Sequence, residues 1–176
     1  MNNSLVSILL PVGKDKKYLD EAVESIRQQT HKNIELLIGE DSGEGITKTL
    51  VKLARKARGE YLVRMDADDI SEPERLAKQV EFLVSHPDVK LVGSWATLID
   101  ESGKRIGFQK MPVAWEEVKK TVFYRNPLIH SSWMMRRKWY EKIGGYNLKY
   151  RYSQDWELLL RTVWKHRIEN ISGPLI

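Results

Sequence analysis

The chain contains no cysteine among its 176 residues, which excludes disulfide bonds and thiolate chemistry. It has no apolar run of about 18 residues, so the sequence predicts no transmembrane helix. Internal repeats, low-complexity tracts and obvious linkers are also absent, which leaves a single domain over residues 1–176. These absences are compatible with a reducing compartment, and we expect the protein in the cytoplasm.

Positive charge is in excess, with 29 lysines and arginines against 24 aspartates and glutamates. The net charge of +5 favours an anionic partner, such as a nucleotide or an acidic membrane surface. The basic residues are dispersed apart from a local cluster at residues 136–142, and no nucleic-acid-binding motif is present. Nucleic acid is therefore not an expected partner.

The first half of the chain alternates buried strands with amphipathic helices. Apolar, branched runs at residues 4–12, 33–41 and 59–66 predict strands, and the segments between them carry apolar residues at helical spacing. This alternation predicts an α/β fold with a mostly parallel sheet flanked by helices. Because ligands bind beyond the carboxyl ends of such strands, the acidic residues that follow the second and third strands should meet at one edge.

A helix is expected over residues 72–86, with Ser71 as its cap and Glu74 completing a capping box. A further strand, "VKLVGSWATLID", and a polar turn follow. The remaining third is richer in aromatic residues and predicts short helices around one strand-like segment.

The stretch "MDADD" places Asp66, Asp68 and Asp69 within four positions, directly after a predicted strand. Like charges this close repel one another, so a cation is expected to balance them. Mg²⁺ and Mn²⁺ take oxygen ligands and often use one or two carboxylates plus substrate phosphates. The alternative is a surface turn in which Asp69 or Ser71 caps the next helix.

Several ordered motifs together resemble the family 2 glycosyltransferases with the type A fold. The segments are "SILLPVGKDKKYLDEAVESIRQQTHKNIELLIGED", "ARGEYLVRMDADDISEPERLAKQVEFLVSHPDVKLVGS", "NPLIHSSWMMRR", "IGGY" and "SQDWELLLR", and they span nearly the whole chain. The resemblance implies an inverting, non-processive enzyme that uses a nucleotide-diphosphate sugar and Mn²⁺ or Mg²⁺. It also implies a nucleotide-sugar-binding half over residues 1–100 and an acceptor-side half over residues 101–176.

By position, the resemblance assigns one group of residues to the nucleotide-sugar. These are Pro11, Val12, Gly13, Glu40, Asp41, Lys48, Asp66 and Ala67. Asp68 would be the principal metal ligand, with Asp69 flanking it.

The late motif "SQDWELLLR" would supply the general base, Asp155, which takes the proton of the acceptor hydroxyl. The alternative is that Asp155 only caps the helix that follows it. His130 and Trp156 would lie on the acceptor side, although a lone histidine or an aromatic residue in this half is also compatible with a purely structural role. The acceptor would be a glycan or a lipid-linked molecule in polysaccharide biosynthesis, with residues 136–142 resting on an anionic membrane.

The chain departs from the family at three places. Gly13 stands where the family shows an aromatic residue that faces the base, which leaves the base undefined. Glu40 and Gln154 replace the first residues of two acidic pairs. Ser42 runs directly into Gly43, where the family has about 30 more residues, one further strand–helix unit. A segment is therefore expected to be missing there, either because it is mobile and unseen or because it is deleted, and a deletion would cast doubt on nucleotide binding.

Two other functions remain open from the sequence. A nucleotidyltransferase acting on a sugar phosphate would use a similar sheet and acidic site, with "PVGKDKK" as a weak triphosphate loop. The second alternative is a catalytically degenerate domain that binds a nucleotide-sugar without turning it over.

Overall fold

The computed structural model describes residues 3–176, so the first two residues of the predicted domain lie outside it. The described strands are β1 (Val6–Val12), β2 (Ile34–Glu40), β3 (Tyr61–Arg64), β4 (Val89–Ile99), β5 (Arg105–Gln109), β6 (Met134–Arg136) and β7 (Arg167–Pro174). The described helices are α1 (Leu19–Arg27), α2 (Ile46–Lys56), α3 (Arg75–Ser85), α4 (Trp115–Thr121), α5 (Arg137–Lys142) and α6 (Gln154–Thr162).

The strands form one mixed sheet in the order β2-β1-β3-β6-β4-β5, with β7 paired to β4. β1 lies between β2 and β3 and is parallel to both, so the carboxyl ends of all three reach the same edge. β6 is antiparallel to β3 and β4, whereas β7 runs parallel to β4. The predicted α/β fold with helices flanking a central sheet is confirmed, but the sheet is mixed, since three of its six described strand pairings are parallel and three are antiparallel.

Two apolar layers cover the sheet. On one face, α1 and α3 bury Ile26, Leu76 and Leu83 against the strands. The other face packs against α2, α4, α5 and α6, whose buried residues include Leu50 and Leu158. Helices on both faces leave the carboxyl edge of β1, β2 and β3 as the accessible place for a ligand.

The last third differs most from the sequence-based expectation. The strand-like segment after Leu128 divides into a 3₁₀ turn, His130–Ser132, and the three-residue strand β6. The sequence pattern does not predict β7, because its sequence, "RIENISGP", lacks a clear period-two alternation of apolar and polar residues. Its pairing with β4 buries Asn170, whose side-chain amide donates to the carbonyls of Pro112 and Pro127 at 2.6 and 3.1 Å.

The predicted cap of α3 is wrong. The helix begins at Arg75, and no side chain caps it. Ser71 is buried instead, where its amide donates to the Ser25 hydroxyl at 3.0 Å and its own hydroxyl accepts from Gln29 at 3.2 Å. These contacts tie the segment after the acidic turn to the end of α1, and a local capping motif cannot report them.

Gln29 is the centre of this connection. Its buried amide donates to the Glu72 carbonyl at 2.8 Å and accepts from the Leu76 amide at 3.1 Å. We expect Gln29→Ala to lower the free energy of unfolding by about 1–3 kcal/mol, because it leaves buried backbone groups unpaired. Urea unfolding measures this loss.

The matched control is Gln28→Ala, one position earlier. The Gln28 side chain is exposed and, among residues 3–176, its only hydrogen bond goes to Glu24 at 3.1 Å, so its loss should cost less than about 0.5 kcal/mol. Equal destabilisation by the two variants would contradict this role of Gln29.

Candidate active site

A cavity of about 440 Å³ opens at the carboxyl edge of β1, β2 and β3. Its lining includes seven residues that the sequence assigned to the donor or the metal: Pro11, Val12, Gly13, Asp41, Asp66, Ala67 and Asp68. Strand register explains this convergence. The Asp41 amide donates to the Val12 carbonyl at 2.8 Å, and the Met65 amide donates to the Leu9 carbonyl at 3.2 Å.

The connection from β2 to α2 is a tight turn organised by Asp41. One oxygen of its carboxylate accepts hydrogen bonds from the amides of Gly43 and Gly45, both at 2.9 Å. These glycines have φ values of 96° and 95°, which other residues rarely adopt. The turn joins Ser42 directly to Gly43, and the segment expected between them stays a prediction.

Two of the assigned residues do not line this cavity. Glu40 is exposed and pairs with Lys16 at 2.5 Å, and this hydrogen bond holds the pKa of the Glu40 carboxyl below its usual value. Lys48 lies on α2, with its ammonium 3.8 Å from Glu44. The assignment of both residues to the nucleotide-sugar stays a prediction without support from this geometry.

Two buried arginines, Arg64 and Arg75, lie next to the acidic turn after β3. Arg64, at 3% side-chain exposure, forms an ion pair with Asp66. Arg75 is fully buried and donates to the carbonyls of Arg64 and Ser131 at 2.9 and 2.7 Å. The chain itself therefore supplies part of the positive charge that the sequence led us to expect from outside.

Asp69 does not line the cavity of Asp66, but together with Asp68 it lines a neighbouring hollow of about 300 Å³. Burial raises the pKa of the Asp69 carboxyl, while a hydrogen bond with Ser131 acts in the opposite direction. Burial likewise lowers the pKa of Arg75 to about 9, against a smaller opposing effect of the Asp69 charge. The Asp69 charge thus acts on the pKa of Arg75, and the role of Asp69 as a residue flanking the metal stays a prediction.

Asp68 is left as the exposed carboxylate of the turn, and among the described residues it has no ion-pair partner. The part of the chain that the structure describes also holds no group of three acidic, histidine or cysteine side chains arranged for a metal. The described residues therefore do not form a complete set of protein ligands around a metal ion. An open site with one or two carboxylates that receives the remaining ligands from substrate phosphates fits this donor set.

Asp155, the predicted base, lies on α6. It lies in the first turn of the helix, whereas Ser153 occupies the cap position in a left-handed conformation with φ 57°. The alternative that Asp155 serves as the helix cap is therefore wrong. The loop before α6 contacts the β2–α2 connection, since Thr47 donates to the Tyr150 carbonyl at 2.8 Å. Asp155 itself does not line the cavity of Asp68.

His130 contacts aromatic side chains of the core. Its Nε2 lies 2.8 Å from the Tyr146 hydroxyl, and its ring packs edge-on against Trp133. Burial and then the Arg64 charge lower the pKa of His130 well below 6.5. Burial also raises the pKa of Tyr146, with smaller contributions that include Asp155 and Asp66. These contacts favour a structural role for His130.

Trp156 is half-buried, and its indole donates to the Val122 carbonyl at 2.7 Å. It lines a second hollow of about 590 Å³ together with Tyr150, Ser153, Glu157, Leu160 and Arg161. This hollow flanks Asp155 on the same helix. Its aromatic rings are of the kind that stack on sugar faces.

Sequence reasoning missed several residues of the site. Lys14, Lys17 and Tyr18 line the main cavity, and the run of lysines after β1 was the available signal. The buried partners Arg64 and Arg75 gave no signal, because an arginine between apolar residues reads as surface until the packing is known.

The fold and the grouped strand-end residues define an α/β domain with a ligand site at the carboxyl edge of its parallel strands, and the comparisons identify its family. The model described as glycosyl transferase family 2 matches residues 40–144. The chain belongs to this family.

Curated relatives are also glycosyltransferases. One of Methanocaldococcus jannaschii, uncharacterised, is 29% identical over 93% of this chain and 66% of its own length. The O-antigen biosynthesis glycosyltransferase WbnJ of Escherichia coli is 28% identical over 89% of this chain and 71% of its own length. The crystal structure of S. aureus TarS with UDP matches with a TM-score of 0.75 at 15% identity, over 96% of this chain and 58% of that one.

The chain thus spans slightly less than two thirds of the first relative. That alignment runs over 194 positions, whereas 93% of this chain is about 164 residues. The relative therefore has about 30 residues inside the aligned region that this chain lacks, about the size of the segment expected after Ser42. Among the described residues, no helix has the length and apolar character needed to cross a membrane.

Because the pKa of His130 is lowered in the folded state, the unfolded chain binds an additional proton as pH falls below 6.5. The free energy of unfolding should therefore decrease with falling pH, by up to about 1.4 kcal/mol per pH unit from this group. We expect His130→Gln to flatten this dependence between pH 7.5 and 5. Urea unfolding of both proteins across that range measures the slopes, and parallel slopes would contradict the argument.

Proposed function

We propose that the protein transfers a sugar from a nucleotide-diphosphate sugar to a hydroxyl of a glycan or lipid-linked acceptor, with inversion and with the help of Mn²⁺ or Mg²⁺. The observation that carries this proposal is the single cavity in which Gly13, Asp41, Asp66 and Asp68 meet. Family membership supports the reaction class, and the names of WbnJ and its fellow relatives support a role in surface polysaccharide synthesis. The titles of the TarS structures, with UDP and UDP-GlcNAc, support a uridine donor as the first to test.

The donor would lie along the strand ends. Its nucleoside would contact residues 11–13 and Asp41, and the lysines Lys14 and Lys17 would face its phosphates. Asp66, held by Arg64, would accept hydrogen bonds from ribose or sugar hydroxyls. Asp68 would hold the divalent cation, which when bound stabilises charge on the departing diphosphate.

Asp155 would act as the base from the acceptor side. It takes the proton of the acceptor hydroxyl as that oxygen forms a bond to the anomeric carbon. The bond from the anomeric carbon to the diphosphate oxygen breaks on the opposite face, and the nucleoside diphosphate leaves with the electron pair. The hollow beside Trp156 would seat the acceptor sugar.

Tyr18 offers an explanation for the aromatic residue that is missing at Gly13. Its ring lies in the same cavity, and we infer that it packs against the base. Since base–aromatic stacking contributes about 1–3 kcal/mol, Tyr18→Ala should raise the Kd for UDP about tenfold or more in calorimetry. Tyr124, 85% exposed and outside this cavity, gives the matched control Tyr124→Ala. An unchanged Kd for Tyr18→Ala would remove Tyr18 from the base pocket.

Asp68→Asn tests the metal site. With a panel of UDP-, GDP- and dTDP-sugars and Mn²⁺, we expect donor hydrolysis to fall by more than about 100-fold, since even residues that only support a metal ligand contribute about 10–100-fold. Calorimetry should also show that Mn²⁺ no longer tightens UDP binding. Asp88→Asn, which removes an exposed pair with Arg167, is the control and should match the wild type. Full Mn²⁺ dependence in Asp68→Asn would refute the assignment.

Turnover assays with different substrates separate the remaining alternatives. A nucleotidyltransferase would release pyrophosphate from a nucleoside triphosphate and a sugar phosphate, and the two lysines at the cavity are compatible with that chemistry. The family match favours the glycosyltransferase. A degenerate domain would bind UDP and Mn²⁺ without turnover of any donor.

Membrane contact through residues 136–142 has less support than the sequence indicated. Arg136 donates to the carbonyls of Val89 and Leu83, and Arg137 donates to the Gly59 carbonyl and pairs with Glu141. These contacts occupy two of the segment's four basic side chains inside the fold.

A further inference from the structure

Asn126 holds the carboxylate of Asp155. Its side-chain nitrogen Nδ2 donates to Asp155 Oδ2 at 2.6 Å. Its side-chain oxygen accepts from the Leu128 amide at 3.1 Å. Because a backbone N–H fixes the oxygen end of the amide, the NH₂ end must face Asp155, so the donor and acceptor roles in this pair are defined by the chain itself.

The loop that carries Asn126 is firmly anchored. Pro127 is buried, and its carbonyl accepts from the side chain of Asn170 on β7 at 3.1 Å. Leu128 lies in the apolar core at 1% exposure. A side chain supported in this way holds its partner in one place, as a reacting group requires.

We propose that Asn126 is a positioning residue for the transfer reaction, because it fixes Asp155 Oδ2 and leaves Oδ1 for the acceptor hydroxyl. This inference rests on the proposed function, in which Asp155 is the base. Asp155 lies in the first turn of α6, where a free carboxylate could rotate toward the helix amides. The hydrogen bond from Asn126 opposes that rotation.

The amide also suits the task because it carries no charge. An arginine or lysine at this position would form an ion pair that competes with the acceptor proton for the carboxylate. An amide donates a hydrogen bond without supplying a counter-charge. The base thereby keeps one defined orientation.

The decisive variant is Asn126→Asp. It keeps the oxygen that accepts from the Leu128 amide, but it replaces the donor to Asp155 by a second carboxylate oxygen. Since a misplacement of about 1 Å can cost about 10²-fold in rate, we expect kcat for hydrolysis of the preferred donor to fall by about that factor. The KM for the donor and the Kd for UDP should stay within about threefold, because Asn126 does not line the donor cavity.

Asn147→Asp is the matched control. Asn147 makes the same type of turn, with its side-chain oxygen accepting from the Lys149 amide at 3.1 Å, but its side chain has no carboxylate partner in the described chain. Its kcat and KM should match the wild type. Should Asn126→Asp not fold, Asn126→Ala replaces it with the same expected loss of kcat, since it adds no like charge.

An exchange variant, Asn126→Asp with Asp155→Asn, tests the contact without reference to activity. It restores the hydrogen bond with donor and acceptor exchanged, so its melting temperature should exceed that of Asn126→Asp alone. No recovery would overturn the pairing.

The two proposals fail in different ways. A wild-type protein that turns over no nucleotide-sugar would refute the proposed function, whereas activity retained by Asp155→Asn would refute only Asp155 as the base and the positioning role of Asn126 with it. Loss of activity in Asp155→Asn, with wild-type kcat in Asn126→Asp, would overturn only the role of Asn126.

Discussion

The site depends on how the fold balances the charge of the acidic turn after β3. Arg64 pairs with Asp66, and the buried Arg75 lies behind Asp69, so two of the three carboxylates meet positive charge from inside. Asp68 remains exposed at the cavity without such a partner. Only the negative charge of Asp68 is then left without an opposite charge from the described chain. A cation that arrives with the substrate could balance this charge.

The helix that carries Asp155, α6, is held in place by tertiary contacts on two sides. Thr47 donates to the Tyr150 carbonyl, which joins the loop before α6 to the start of α2. Arg161 donates to the carbonyls of Ile143 and Gly145 at 2.6 and 2.7 Å and so fixes the other side of the helix. α6 therefore presents Asp155 as a rigid element.

Several expectations failed for one common reason. The Ser71 capping motif is present in the sequence, but its hydroxyl and amide are used by Gln29 and Ser25 of another helix. Asp155 was the predicted cap of α6, but it lies inside the first turn and its carboxylate accepts a hydrogen bond from Asn126. Local motifs compete with partners that are distant in sequence, and a buried partner prevails because unpaired buried polar groups are costly. The short, irregular strand β7 likewise exists because β4 pairs with it.

The sequence by itself determined the order of strands and helices through β4, and with it the placement of Asp41, Asp66 and Asp68 after parallel strands. That outcome follows from hydrophobic periodicity and from the rule that such strands end at one edge. Only the tertiary structure decided which carboxylate stays free and what holds Asp155. Those answers depend on contacts such as Arg64–Asp66 and Asn126–Asp155, and the second of these joins residues 29 positions apart, beyond the reach of any local pattern.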